Sequence, residues 1–316
     1  MRKISSGSGV LIAVQLPVVS VVIPTRHRSN LVVRAIKSAL AQTLHEIEVV
    51  VVIDGPDQST ADALDAIRDP RVIAVALQSP VGGAEARNAG VRESRGAYIA
   101  FLDDDDEWSP NKLERQLELA RRSMQHFPVV TCRLIARRPM GDEIWPARPM
   151  KAGESMSEYL LCREASIRQG EGFIQTSTLL VPRPLLLAAP FRMGLPRHQD
   201  WDWLIRAASH AGVEFLWAWE PLVTYHIDSG RKSVSAGRSV AASLDWVNGN
   251  GLVTPKARAY FYATQIAVRC DSLSTLLSVI RNTFRYPRAF AIAMGLALTP
   301  RTVVDALRPR RALAHA

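Results

Sequence analysis

The feature that most restricts this chain is a series of short, continuous β-branched runs, each followed by a helical pattern. "VVSVVIPT" (18–25), "IEVVVVIDG" (47–55), "RVIAVAL" (71–77) and "AYIAFL" (97–102) are the runs. Between them stand "NLVVRAIKSALAQT", "TADALDAIRD" and "GGAEARNAGVRESRG", whose apolar residues recur at helical spacing. Strands without polar alternation are buried on both faces, which is the state of a parallel sheet covered by helices. In open sheets of that kind ligands gather beyond the carboxyl ends of the strands. Thr25 to Arg28, Asp54 to Asp57 and Asp103 to Asp106 all follow such ends, so three polar clusters are expected on one edge.

The second half is less regular. "NKLERQLELARRSMQHF" reads as a helix after Ser109-Pro110, and "HQDWDWLIRAASHAG" as one closed by Gly212. "VVTCRLIAR", "STLLVP" and "VEFLWAWEPLVTYH" read as strands, and beyond about residue 250 the pattern is helical and basic. The formal net charge of +9 is concentrated there, since the final stretch "TPRTVVDALRPRRALAHA" holds one acid, Asp305. No helix-turn-helix, zinc or RNA-binding motif accompanies that charge, so nucleic acid is not expected as a partner. The three cysteines are far apart, which excludes a disulfide framework and suits a reducing cytoplasm. No run reaches the ~18–20 apolar residues of a membrane span. "AFAIAMGLAL" (289–298) is instead expected to be a packed or interfacial helix, and the N-terminal apolar stretch, broken by Gln15 and Pro17, runs on into the first strand.

"AYIAFLDDDDEW" poses the chemical question. Four adjacent carboxylates at the mouth of a buried strand repel one another unless water or a cation compensates them. Two carboxylates at i and i+2 in a turn can chelate one hard divalent cation, and both Asp103/Asp105 and Asp104/Asp106 have that spacing. A solvated loop and a metal site are both open at this point.

"VSVVIPT", "VVVIDG", "GGAEARNAGVRESRGAYIAFLDDDDEW" and "RHQDWDWLIR" together resemble the family 2 glycosyltransferases, in order and spacing, over roughly residues 18–235. The resemblance implies an α/β GT-A fold: a Rossmann-like, mixed, mostly parallel central sheet flanked by helices, here with a helical C-terminal appendage. It divides the chain into an extension (1–17), a glycosyltransferase domain (18–240) and a basic helical region (241–316). The domain falls into a nucleotide-binding half (18–108) and an acceptor half (109–240). It implies an inverting, metal-dependent enzyme that moves a sugar from a nucleotide-sugar donor to a glycan or lipid-linked acceptor. The setting is the cytoplasm or the cytoplasmic face of a membrane; the mixture of apolar faces and arginines in the C-terminal region suits peripheral contact with an anionic membrane surface, packing on the domain or pairing with a second subunit alike. An inactive nucleotide-binding scaffold is the alternative on the same fold.

Residue by residue, the resemblance gives Thr25, Asp54, Gly83, Arg87, Asp103 and Asp104 to the donor nucleotide. Asp105 would bind Mn²⁺ or Mg²⁺ and His226 would complete that site. Arg231 or Lys232 would close over the diphosphate. Asp200 would be the catalytic base, with Asp202 ranked second, although an aspartate opening a helix also suits an N-cap. The chain departs from the pattern at "IDGPDQS", where the family has two acids, and at Gln199, where many relatives have glutamate.

Overall fold

The computed structural model describes residues 16–139, 141–164, 170–227, 240–270 and 272–298. The strands are β1 (Val19–Thr25), β2 (Ile47–Ile53), β3 (Val72–Ala76), β4 (Tyr98–Phe101), β5 (Glu107–Trp108), β6 (Phe127–Arg137), β7 (Glu143–Trp145), β8 (Leu180–Pro182) and β9 (Val213–His226). The helices of the first half are α1 (Ser29–Leu40), α2 (Gln58–Asp65), α3 (Gly83–Glu93), α4 (Lys112–Arg122) and α5 (Met156–Leu161). They are followed by α6 (Arg183–Ala188), α7 (Gln199–Ala208), α8 (Val240–Gly249), α9 (Pro255–Phe261), α10 (Leu273–Thr283) and α11 (Pro287–Leu298).

One nine-stranded sheet runs in the order β3-β2-β1-β4-β8-β6-β9-β5, with β7 paired to β6. β3, β2, β1 and β4 are mutually parallel, and β6 is parallel to β9. β8 is antiparallel to both of its neighbours, and β5 to β9. The sheet is therefore mixed and mostly parallel, as the sequence predicts. Every residue of β2 is buried, which is why its run of valines and isoleucines shows no alternation.

Alternate residues of each strand feed two cores. Val22, Val50, Val52, Ile99 and Phe101 face one layer, which includes α3, α5, α7 and the helices after residue 240. Val21, Ile23, Val49, Val51 and Ala100 face the other, which α1 and α4 cover. Trp246, Val247 and Phe261 belong to the same core as Trp203, and the Trp246 indole donates to Asp202 at 3.1 Å. Among the described residues no helix is long and apolar enough to cross a membrane.

Close approach explains two glycines. A Cβ on Gly90 of α3 would lie 2.4 Å from Val22 Cγ1, and one on Gly96 would lie 2.6 Å from the Ser20 nitrogen. Glu48, buried in β2, accepts from Ser20 Oγ at 2.6 Å and from Arg95 N and Nε at 2.6 and 2.8 Å. The turn before β4 is thus pinned to β1 and β2 at the sheet edge away from the polar clusters.

Some elements differ from the sequence reading. α4 stops at Arg122, because Ser123 turns extended and bonds Glu214 of β9, so the following residues enter β6. Thr176–Thr178 form a 3₁₀ turn and the strand begins only at Leu180. β5, β7, α5 and α6 have no sequence counterpart in that reading; β5 is held by pairing with β9, and α5 by its Ser155 cap and five buried residues.

Gly90→Ala is expected to destabilise by about 1–3 kcal/mol through overpacking against Val22. The urea midpoint should fall without a change in slope, and an unchanged midpoint would refute so close a helix–sheet approach.

Candidate active site

The three polar clusters do converge. Thr25, ending β1, donates its hydroxyl to Asp104 at 2.8 Å, and the His27 N–H donates to Asp57 at 2.7 Å. Asp54, ending β2, accepts from the Val81 and Gly82 N–H groups at 2.7 and 3.1 Å. Its carboxylate therefore shapes the turn before α3, where Gly82 takes φ 87°, a left-handed conformation suited to glycine. A carboxylate has about four acceptor sites, so two remain for a ligand.

From that turn α3 delivers Arg87 and Asn88. Asn88 exchanges two hydrogen bonds with the Phe191 backbone, at 2.9 and 3.0 Å, and so ties α3 to the loop before α7. Arg87 is buried and donates to Asp103 at 2.6 Å and to Gln199 at 3.4 Å. Glu85, a possible partner for Arg87 by sequence spacing, pairs with Arg92 instead. A Cβ on Gly83 would sit 3.1 Å from Arg87 Nη1, which keeps this corner close-packed.

The four aspartates part company. Asp103 meets Arg87 and, at 2.8 Å, Gln175 Nε2. Asp104 turns inward to Thr25 and to Arg28, whose Nη1 lies 2.9 Å away. Burial raises the Asp104 carboxyl, with Arg28 and Thr25 opposing. Asp105 stays accessible and takes a 3.3 Å contact from Arg28. Asp106 is fully buried and accepts from Ser177 Oγ at 2.6 Å and Gln175 Nε2 at 3.0 Å. Burial pushes its pKa well up, and the charges of Asp103 and Asp105 push it further. The Asp104/Asp106 spacing thus forms no chelating pair, since each side chain has separate partners on separate elements.

Among the described residues Asp106 Oδ1 is buried without a hydrogen-bond partner, beside two carboxylates that disfavour its ionisation. Such a cluster fits a cation, and its oxygen-only donors suit Mg²⁺ or Mn²⁺. Among the described residues no three acidic, histidine or cysteine side chains form a metal cage. Mg²⁺ held by one or two carboxylates and completed by substrate phosphates needs none. His226 lies beside this loop, its Nε2 2.8 Å from Glu107, which also meets Arg34 at 3.4 Å. Arg231 and Lys232 lie outside the described residues.

α7 brings the other half. Its cap is His198 at φ 61°, so Asp200 is the second residue of the helix and not its N-cap. Asp200 is half-buried, and desolvation raises its pKa to about 6, against the opposing charge of Arg87 and a Thr176 N–H bond. Asp202 is fully buried and satisfied by Arg206 at 2.8 Å, Arg192 at 3.3 Å and Trp246. A carboxylate so enclosed holds the helix in place. His198 stacks on Trp201 at 5.0 Å and bonds Ser243 at 2.9 Å, and burial lowers its pKa to about 3.

Sequence reasoning placed Arg28 in the cluster after β1 but gave it no role, and passed over the Gln175–Ser177 turn that bridges Asp103 and Asp106. Four successive hydrogen-bonding side chains, Gln175 to Thr178, ahead of a buried strand were the available signal. Tyr225 of β9 was also missed: burial, then Asp106, Asp103, Asp105 and Asp200, raise its pKa, so its hydroxyl stays protonated near the cluster.

Residues 20–178 match the family described as Glycosyl transferase family 2. The chain is 31% identical over 238 residues to the amylovoran biosynthesis glycosyltransferase AmsB of Erwinia amylovora, covering 72% of this chain and 76% of that one. It is 33% identical over 112 residues to the Escherichia coli UDP-Glc:alpha-D-GlcNAc-diphosphoundecaprenol beta-1,3-glucosyltransferase WfaP, covering 35% and 45% respectively. In fold it is similar to residues 1–349 of S. aureus TarS, solved with UDP-GlcNAc, at a TM-score of 0.57, 16% identity and coverage of 89% and 84%. With the matched region spanning the strands that carry Thr25, Asp54 and the aspartate run, the chain belongs to the family 2 glycosyltransferases.

Proposed function

We propose that this glycosyltransferase is inverting and metal-dependent, and that it transfers a sugar from a nucleoside diphosphate donor, UDP-sugar before others, to an acceptor hydroxyl. The acceptor is a growing polysaccharide or lipid-linked glycan at the cytoplasmic face of a membrane. WfaP and AmsB, by their names, act in such chemistry, and the first of these names a UDP-sugar and a lipid diphosphate. The observation that carries the reading is Asp200. It is half-buried, ionises near pH 6, and feels the same guanidinium, Arg87, that pairs with Asp103.

In this reading Asp200 takes the proton of the acceptor hydroxyl as that oxygen attacks the anomeric carbon in line, which inverts the configuration. A carboxylate of pKa about 6 is ionised at neutral pH and more basic than an ordinary aspartate. Arg87 keeps Asp200 from shifting higher and presents a fixed positive charge to the diphosphate. Thr25, Asp54 and Asp103 line the nucleotide side, with Gly83 allowing close backbone approach and Asp104 holding Thr25 and Arg28 in place. Asp105, with His226 behind it on Glu107, would hold the cation. A bound Mg²⁺ or Mn²⁺ neutralises charge that builds on the leaving diphosphate.

Asp200→Asn should lower transfer by roughly 10²–10⁴-fold while UDP binding measured by calorimetry stays as in the wild type. Normal turnover in that variant would remove Asp200 from the chemistry. Asp200 must be unprotonated to act, so kcat/KM should fall tenfold per pH unit below about 6 and level off above it. A profile flat from pH 5 to 7 would contradict a base with this environment. Titration with UDP, with and without Mn²⁺, tests the cation: Asp105→Ala should reduce affinity in Mn²⁺ to the metal-free level. Equal enhancement by Mn²⁺ in both proteins would rule out Asp105 as its ligand.

A further inference from the structure

α10 carries two different faces. Val279 and Thr283 point inward and are fully buried. Leu273, Leu277, Ile280 and Phe284 recur at spacings of four, three and four, which aligns them as one stripe on a separate side of the helix. Phe284 keeps helical backbone angles just past the last turn, so it continues the stripe. The stripe faces out: Leu273, Leu277 and Phe284 are 72%, 57% and 56% exposed, and Ile280 is partly so. Exposed leucines scattered singly need no explanation, whereas a continuous apolar stripe marks a contact surface.

Charge indicates what covers it. Arg281 borders the stripe, and the Arg285 guanidinium lies 5.6 Å from the Phe284 ring centre. From Ser272 to Leu298 the sequence has three arginines, Arg281, Arg285 and Arg288, and no acid. A two-fold contact with a second copy would bring these like charges together, three arginines per copy against the single adjoining acid, Asp271. Beside the stripe a cleft of about 480 Å³ is lined by Asn248, Tyr262, Ser274, Ser278, Arg281 and Asn282. Its donors and its arginine suit a phosphate group.

We propose that α10 docks on an anionic lipid bilayer, with Leu273, Leu277, Ile280 and Phe284 in the acyl boundary and Arg281 and Arg285 at the level of the lipid phosphates. This is the arrangement of an interfacial amphipathic helix, in which apolar burial and attraction to anionic headgroups act together. The surface belongs to α10 and makes no use of the donor site, so membrane and nucleotide binding can fail independently.

Cosedimentation of the full chain with phosphatidylcholine vesicles, with or without phosphatidylglycerol, is the test. The wild type should bind the anionic vesicles, release on raising salt, and bind the neutral ones at least tenfold more weakly, on the order of the loss of two arginine contacts. Arg281→Gln with Arg285→Gln should weaken anionic binding roughly thirtyfold, at about 1 kcal/mol per arginine, whereas Arg281→Lys with Arg285→Lys should retain it. Leu277→Asp with Phe284→Asp should abolish it while leaving the unfolding midpoint in place, because both residues are exposed. Absence of wild-type binding, or equal binding by the aspartate variant, would overturn the proposal. So would a concentration-dependent dimer in sedimentation that the aspartate variant loses, since a second copy would then cover the stripe.

Discussion

The site depends on holding four adjacent carboxylates at the end of a buried strand. Left together they would repel, and moving any of them out of water carries a further cost. The fold resolves this by drawing partners for them from several elements. Arg87 of α3 takes Asp103, Arg28 beside α1 takes Asp104, and the Gln175–Ser177 turn before β8 takes Asp106. Asp103 and Asp105 each keep a quarter of the side chain accessible, while Asp104 and Asp106 are buried. The loop is therefore fixed before any ligand arrives, and fixed charges aimed at a reacting group need no reorganisation when charge develops.

Those same contacts join the two halves of the molecule. Gln175 and Ser177 lie in the turn that leads into the antiparallel part of the sheet, yet they set the geometry of a loop from the parallel part. Arg87 reaches across to Gln199 and lies close enough to Asp200 for each to bias the other. Behind them Trp203 stacks on Phe191 at 5.4 Å, Phe191 meets Phe101 edge-on at 5.4 Å, and Asn88 holds the Phe191 backbone. α7 is thereby locked to β4 and α3 through apolar contacts that exclude water.

Asp200 and Asp202 show how far environment separates two identical residues. They are two positions apart on one helix, but helical geometry turns them to different sides. Asp202 is enclosed by Arg206, Arg192 and Trp246 and serves to anchor α7 against the C-terminal helices. Asp200 lies near Arg87 and Asp103; desolvation and Asp103 raise its pKa and Arg87 limits the rise. Spacing alone ranks them only weakly, and their partners separate them.

The sequence by itself determined the repeated pairing of buried strand and helix, the parallel half of the sheet, and the gathering of Thr25, Asp54 and the aspartate run at one edge. These follow from periodicity and from strand polarity, which are local properties of the chain. Tertiary structure alone decided that Asp104 and Asp106 turn inward, that Arg28 pairs with Asp104, and that the Gln175–Ser177 turn supports the loop from 69 to 72 residues away. It also decided that His198, and not Asp200, caps α7. The physical reason is that burial and hydrogen-bond partnership depend on which distant segments meet, and no local pattern carries that information.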